Sequence, residues 1–508
     1  MNTALRVLCV LAAGVPAALA DAQPLGSPVP PTIANPNRFA VTGVDAAARF
    51  VRLATTRRVD IAIIGDSNTR LSASTGHEDA MGRAFAARFG MYASRVDPFS
   101  GQGVWTPEVL SSATFQFGPF LQAGAPAAAE QYFFTSLSFP TGYAFLPGGV
   151  ETGFTYNAGL VLRPTHPIGI ESHLRYHLSD YSLPGGSYAI SIRSPFPNNP
   201  YVNFFGYQAA PAATPGMRDL EFDIPAGTRS PDGIFIVPGD AQNQRSSVGP
   251  LLPVYHRVER VDRATGVAYS PMWAAGSQSA RGVLQTFYES DRNVTAMHEW
   301  MRQATRLQDA EAVLLVHVMH GGNDAADSRP SLGPISGLPS SSSAGQEDNT
   351  RGIISWLRAR WVESGRDPAN LFFLLGPYHP RADTGLPQLG YEQGWRAIAG
   401  SDPQVFTVAG NMLSTPQEFA VRGFLLNGDP YHLSPLGFQT WADATIRAID
   451  LALCPGDYDG NHELGVADIF GFLNAWLAGS IDADFDYSGT LGVQDIFDFL
   501  NAWFAGCS

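Results

Sequence analysis

Four short apolar runs, each followed by a polar loop, constrain this chain most. Residues 59–64, 312–318, 371–375 and 405–408 read as buried strands. Between them lie helical patterns. At 77–89, Met81, Phe85 and Phe89 recur at helical spacing. Further helices are expected around 290–306, at 348–363 and near 436–453, and a loop at 328–346 holds a run of serines. Strands alternating with helices make these segments α/β. From about 110 to 280 the pattern changes to short alternating runs. Leu220, Phe222 and Ile224 alternate with Asp219, Glu221 and Asp223, as in a half-buried strand. Tyr188, Ile190 and Ile192 repeat the pattern, and turn residues separate the runs, as an antiparallel sandwich requires. With 508 residues, the chain is long enough for more than one core.

The N-terminus reads as a targeting segment. Arg6 precedes an apolar stretch from Val7 to Leu19, and Ala18-Leu19-Ala20 offers a cleavage site before Asp21. The stretch is too short to span a membrane, and no later run is long enough. The expectation is a signal peptide over 1–20 and an exported chain, secreted, periplasmic or at the cell surface, that does not cross a membrane. Cys9 would leave with the signal, so Cys454 and Cys507 remain as a pair in an oxidising compartment. The formal net charge is −14, and all 32 basic residues are Arg. An acidic chain of this kind is a poor partner for nucleic acid.

After Cys454 the composition shifts. The last 55 residues carry nine carboxylates and no Arg. Asp457, Asp459, Asn461, Glu463 and Asp468 occupy positions 1, 3, 5, 7 and 12 of a loop. Asp484, Asp486, Ser488, Thr490 and Asp495 repeat the spacing. Side-chain oxygens at 1, 3, 5 and 12, with position 7 able to use its backbone carbonyl, wrap one Ca²⁺ ion. Each loop opens a helix with an apolar stripe, Ile469, Phe470, Leu473 and Trp476 in one and Ile496, Phe497, Leu500 and Trp503 in the other, expected to face the tail's core. The copies resemble the paired loop–helix units of dockerin modules. That resemblance implies a small helical domain over 454–508, two structural calcium ions and a cohesin-like or cell-surface receptor. His462 departs from the pattern, which has Gly at position 6 for a sharp turn, so the first site is expected to be the weaker. A Cys454–Cys507 bridge would close a loop of roughly 50 residues, worth about 4 kcal/mol by chain entropy.

Three short motifs carry chemistry. Gly65-Asp66-Ser67-Asn68 follows the first strand and can present a serine hydroxyl at the sheet's carboxyl edge, where open α/β sheets bind ligands. His320-Gly321-Gly322-Asn323-Asp324 follows the second, and the Asn323 amide can donate to a developing oxyanion. Asp429-Pro430-Tyr431-His432 precedes the helix near 436–453. Its spacing lets a carboxylate hold one imidazole nitrogen while the other serves a nucleophile. His317, His320 and His379, near strand ends, read as pocket lining or structure, since they lack metal-ligand spacing.

In this order the three motifs resemble the first, third and fifth blocks of the SGNH hydrolase, or GDSL-type esterase, superfamily. The second block, a glycine after the second strand, is matched by Gly101 in Ser100-Gly101-Gln102-Gly103, with Gly103 as the alternative. Between the first and third blocks the chain is longer than two βαβ steps need, so a β-rich, sandwich-like unit over 111–280 reads as an insert. The resemblance implies a flavodoxin-like α/β/α domain over 39–110 and 281–453. It implies ester hydrolysis through an acyl-serine, with no cofactor for catalysis. Ser67 is the nucleophile, His432 the base, Asp429 its orienting partner, and Gly101 and Asn323 oxyanion donors. The expected substrate is an ester, with acylated polysaccharide foremost. The alternatives are a lipase or thioesterase of the same superfamily, or a non-catalytic glycan-binding surface protein.

Overall fold

The computed structural model describes residues 38–66, 68, 77–96, 113–119, 158–164, 174–182, 190–192, 216–224, 226, 234–238, 252–274, 279–288, 311–321, 324, 343–380, 385–427, 429, 431–486 and 488–507. The expected signal peptide and the helix expected around 290–306 lie outside them. The chain enters through β1 (Val41–Thr42), α1 (Val44–Thr56), β2 (Arg58–Gly65), α2 (His77–Phe89) and β3 (Met91–Val96). Strands β4 (Ala113–Pro119), β5 (Ala158–Pro164), β6 (Leu174–Ser182), β7 (Ile190–Ile192), β8 (Gly216–Ile224), β9 (Ile234–Pro238), β10 (Leu252–Arg260) and β11 (Gly266–Ala274) follow. The α/β alternation then returns with α3 (Ala280–Tyr288), β12 (Val313–Met319), α4 (Ser343–Glu363), β13 (Leu371–Leu375), α5 (Gly385–Ser401), β14 (Val405–Val408), α6 (Pro416–Val421) and α7 (Pro435–Leu453). Last come α8 (Val466–Leu477) and α9 (Val493–Ala505). Helix α4 begins at Ser343, so the end of the loop expected at 328–346 is helical. Gly345 and Gln346 are buried there, and Thr350 donates to the Gln346 carbonyl at 2.8 Å.

The main sheet has ten strands in the order β1-β14-β13-β12-β2-β11-β3-β10-β6-β8. From β14 to β3 every pairing is parallel. Both faces of this stretch are covered, which is why its strands are apolar on alternate and intervening positions alike. Val59, Ile61 and Ile63 of β2 pack in one core with Phe50 of α1, Phe85 of α2 and Trp441 of α7. Ala62 and Ile64 turn to the other core, with Leu284 of α3, Leu357 of α4 and Trp395 of α5. The protein is therefore a mixed α/β molecule with helices on both faces of its sheet. No helix among the described residues is long and apolar enough to cross a membrane.

The segment 111–280 does not fall into one separate β unit. Strands β4, β5, β9 and β7 form their own four-stranded antiparallel sheet. The other four join the main sheet: β10, β6 and β8 extend its edge, and β11 enters the parallel core between β2 and β3. The expected boundary at 280 thus misplaces a central strand. The physical reason is Pro271. Proline cannot donate to a ladder and argues against a central strand, but here the register with β2 shifts just beyond it, between Pro271 and Trp273. Val267 and Ala268, ahead of the shift, are fully buried.

The tail follows α7 and is closed by a Cys454–Cys507 disulfide across 53 positions. Its two loop–helix copies pack as near mirror roles. Phe472 and Phe499 stack at 4.2 Å between ring centroids. The Trp476 indole donates to the Gly492 carbonyl at 2.9 Å, and the Trp503 indole to the Gly465 carbonyl at 3.1 Å. Each tryptophan therefore ties its own helix to the loop of the other copy. Phe470 and Phe497, expected in the buried stripe, are more than half exposed, at 52% and 54%. Ile469, Phe472, Leu473 and Trp476 make the helix face that packs inward, and Phe470 lies off that face.

Candidate active site

Parallel register brings three strand ends to one edge. Met319 of β12 lies beside Gly65 of β2, and Val318 beside Leu375 of β13. The residues just beyond these ends therefore share one edge: Asp66, His320 with Gly321, and Gly376 through His379. Gly376 has φ 69°, which favours glycine, and precedes a cis peptide bond to Pro377. The Trp441 indole of α7 donates to the Pro377 carbonyl at 3.3 Å. Tyr378 and His379 are both buried.

The third motif sits against this edge because α7 starts there. Ser434 caps α7, accepting from Gly437 N–H at 3.1 Å, and Pro435 occupies the first turn. A single antiparallel bridge between Leu425 and Leu433 closes the loop before it, and Leu426 N–H donates to the His432 carbonyl at 2.9 Å. Asp429 organises that loop. Its Oδ1 accepts from Tyr431 N–H at 2.8 Å and His432 N–H at 3.2 Å. Its Oδ2 lies 2.6 Å from His432 Nδ1. Burial alone would raise the Asp429 carboxyl, but the bond to His432 and the two backbone N–H groups hold it below the usual aspartate value. With Nδ1 directed at Asp429, Nε2 is the nitrogen positioned for proton transfer.

Asn68 joins the first motif to the third. Its N–H donates to Asp66 Oδ1 at 2.9 Å. Its side-chain amide donates to the Tyr378 hydroxyl at 3.0 Å and to the Tyr431 carbonyl at 3.3 Å. Its side-chain carbonyl accepts from Leu433 N–H at 3.4 Å. The Tyr378 hydroxyl in turn donates to Asp66 Oδ2 at 3.2 Å. His379 Nε2 donates to the same Tyr431 carbonyl at 3.1 Å, its ring stacked between Tyr378 and Phe419.

Of the five expected catalytic residues, Asp429 and His432 are brought together as expected. Ser67, Gly101 and Asn323 lie outside the described residues, as does Gly103. The described neighbours of two of them are buried at the sheet edge: Asp66 and Asn68 flank Ser67, and Asp324 follows Asn323. Asp324 Oδ1 accepts from Ala280 N–H at 3.0 Å and so anchors the start of α3. Burial, with Asp324 nearby, pushes the Tyr391 phenol up. His317 donates from Nε2 to the Gly376 carbonyl at 2.7 Å. Burial pushes His317 down to about 4 and His320 down to about 3, so both are neutral at pH 7. Among the described residues no metal-ligating cluster forms at this edge. The sequence reading missed Tyr378 and gave Asn68 no role. The available signal was position: Asn68 directly follows Ser67, and Tyr378 follows the Gly376-Pro377 turn at a strand end.

The tail gathers the other expected site. Asp457, Asp459 and Asp468 bring carboxylate oxygens within 4.8 Å of one another, and Asp484, Asp486 and Asp495 do the same. Asp457, Asp468, Asp484 and Asp495 are buried and accept backbone N–H groups of their own loops, from His462 at 2.8 Å, Gly465 at 2.7 Å, Gly489 at 2.8 Å and Gly492 at 2.7 Å, an arrangement that can receive a cation. Burial, with neighbouring carboxylates, raises Asp484 and Asp495. The donor set is all oxygen, which fits a hard ion such as Ca²⁺. Asn461 and Ser488 stand at position 5 of their loops, Asn461 accepting from Glu463 N–H at 2.8 Å and Ser488 lying 3.0 Å from the Thr490 hydroxyl. Glu463 is not among the converging carboxylates, consistent with a part played by the position-7 backbone carbonyl. His462 has φ 68°, the one non-glycine with positive φ among the described residues, and Gly489 has φ 82° at the matching place.

No family model matches the sequence, and no curated protein matches it. Among solved structures, the chain is similar to a peptidoglycan O-acetylesterase, with TM-score 0.46 and 15% identity over 82% of this chain and 97% of that one. It is similar to an acetyl xylan esterase from the rumen bacterium Butyrivibrio proteoclasticus, with TM-score 0.23 and 12% identity over 58% of this chain and 88% of that one. None of these likenesses is close enough to carry an argument about chemistry.

Proposed function

We propose that this chain is a serine esterase of the SGNH type. The observation that carries the reading is the Asp429–His432 pair, held at 2.6 Å beside the residue that follows Ser67 in the chain. In this reading Ser67 Oγ attacks the ester carbonyl while His432 Nε2 takes its proton. The tetrahedral oxyanion is met by the Ser67 and Gly101 N–H groups and the Asn323 amide. Loss of one such donor costs about 10²–10³ in rate. Collapse expels the alcohol, which receives the proton from His432. Water then enters by the same route in reverse, and the carboxylic acid leaves. Asp429 stays ionised throughout, holding the imidazole in the required tautomer and stabilising its charged form.

An acylated polysaccharide is the proposed substrate, and export by the N-terminal segment would place the enzyme outside the cytoplasm. The tail would hold two structural calcium ions, through Asp457, Asp459, Asn461, the Glu463 carbonyl and Asp468, and through Asp484, Asp486, Ser488, the Thr490 carbonyl and Asp495. Bound calcium neutralises carboxylates that otherwise repel. The exposed Val466, Phe470 and Leu477, repeated at Val493, Phe497 and Phe504, support a dockerin-like role in which the tail docks on a receptor. The test is turnover of p-nitrophenyl acetate and of acetylated xylan by the full chain and by Ser67→Ala. Hydrolysis that disappears in Ser67→Ala supports the reading, and wild-type-like hydrolysis by that variant ends it.

A further inference from the structure

Asn68 uses both hydrogens and the oxygen of its side-chain amide, and two of these bonds go to the two chain neighbours of His432. Its amide donates to the Tyr431 carbonyl at 3.3 Å, and its carbonyl accepts from Leu433 N–H at 3.4 Å. The second amide hydrogen goes to the Tyr378 hydroxyl at 3.0 Å. That hydroxyl can accept because its own hydrogen goes to Asp66 Oδ2, 3.2 Å away. The orientation of the Asn68 amide is therefore fixed by chemistry. A flipped amide would face the Leu433 N–H with N–H and the Tyr431 carbonyl with oxygen. The Tyr431 carbonyl has room for two donors, and His379 Nε2 supplies the second at 3.1 Å. Asn68, Tyr378 and His379 are all buried, at 2%, 1% and 1%. Asp429 holds the imidazole of His432, but nothing in that bond fixes where the pair stands relative to the first motif. The two backbone bonds from Asn68 do.

We propose that Asn68, oriented by Tyr378 and seconded by His379, is a positioning residue that sets His432 against the nucleophile next to Asn68 in the chain. The inference deepens the esterase reading and rests on it for its kinetic test. A residue of this kind acts on the proton-transfer geometry and not on substrate affinity, so its loss lowers kcat and leaves KM alone. Small displacements of a base are expensive in rate. Asn68→Ala should cost about tenfold to a hundredfold in kcat. Asn68→Asp is the sharper variant. It is nearly isosteric and still accepts from Leu433 N–H, but it sets an anion against the Tyr431 carbonyl and beside Asp66.

The experiment measures kcat and KM for p-nitrophenyl acetate in the full chain, with melting temperatures, for Asn68→Ala, Asn68→Asp, His379→Leu and His379→Gln. The expected result is a kcat loss with KM within about twofold in both Asn68 variants, with Asp at least as damaging as Ala. His379→Gln, whose amide can still reach the Tyr431 carbonyl, should recover most of what His379→Leu loses. Asn68→Ala and Asn68→Asp at wild-type kcat would overturn the proposal. So would rate losses that appear only in variants already melted at the assay temperature. Amide hydrogen exchange over 429–433 reads the same clamp without a substrate. Faster exchange there in folded Asn68→Ala supports it, and unchanged exchange refutes it. If the wild type hydrolyses no ester, the esterase reading fails while the exchange result still decides the clamp.

Discussion

The edge of the sheet and the tail both depend on aspartates, and they use them in opposite ways. At the edge, Asp429 stands alone with a histidine and two backbone N–H groups, which hold its carboxyl low and keep it anionic. In the tail, carboxylates are gathered against one another, and burial raises Asp484 and Asp495. A carboxylate given one cationic or N–H partner orients that partner. Carboxylates that converge on one point repel one another even where backbone N–H groups also bond them, as Gly489 N–H does Asp484 and Phe485 N–H does Asp495, both at 2.8 Å, and a cation would relieve that repulsion. One arrangement suits acid–base chemistry, and the other would gain stability from a bound ion if the tail holds calcium as proposed.

The largest effect that tests this contrast belongs to the edge. Asp429→Asn keeps the size of the side chain but offers His432 the wrong partner. It should lower kcat by about 10³–10⁴-fold with the fold intact, measured by ester turnover beside a melting curve. An active Asp429→Asn would remove the catalytic half of the comparison.

The next effect is on stability, and its sign comes from the two buried histidines. Their folded pKa values, about 4 for His317 and about 3 for His320, lie below the ordinary value near 6.5. The unfolded chain therefore binds protons first as pH falls. The stability these two rings contribute is full above about 6.5 and is lost progressively as pH drops from there towards about 4 for His317 and about 3 for His320. Glu392, pushed up to about 8 by burial, works the other way as pH falls, so the histidine part is read as a difference. Thermal melts of the full chain should fall less steeply with pH below about 6.5 in His317→Gln, which keeps a donor for the Gly376 carbonyl, than in the wild type. Identical pH slopes in the two would mean the sheet edge is not dry around His317.

Removing calcium should touch only the other region. Calcium at a hundred times its Kd stabilises a folded site by about 2.7 kcal/mol, so EDTA should lower the tail's melting temperature and leave ester hydrolysis unchanged. Loss of hydrolysis in EDTA would move a metal to the sheet edge and collapse the distinction. The smallest effect separates the two loops. His462, at φ 68°, carries left-handed strain that Gly489 avoids. If that strain is borne when the loop closes on its ion, His462→Gly recovers roughly 1 kcal/mol and tightens the first site about fivefold by calorimetry. An unchanged affinity would show that the two loops are equivalent.

How much of this was legible in the sequence follows from how local each feature is. The strands 59–64, 312–318 and 371–375 announced themselves because burial on both faces leaves an apolar run. The loop spacing of the tail and the Asp429–His432 pair were legible for the same reason, since their partners are a few residues apart. Strand β11 was hidden by Pro271, whose register shift only the neighbouring strand reveals. The inward face of α8 differs from expectation at one residue, Phe472 in place of Phe470, because the two are equally apolar and only packing against Phe499 chooses between them. Asn68 was the least legible. Its bonds reach Tyr378, Tyr431 and Leu433, distant in sequence and brought near only by the parallel register of the sheet.

The central claim is that Ser67 becomes acylated with His432 as its base. It is tested most directly by reacting the full chain with a fluorophosphonate and mapping the adduct by peptide mass spectrometry. The account predicts one adduct, on Ser67, with labelling lost in His432→Ala and ester turnover lost in step with labelling. An adduct on another residue, or undiminished ester turnover by a chain that takes no label, would contradict it.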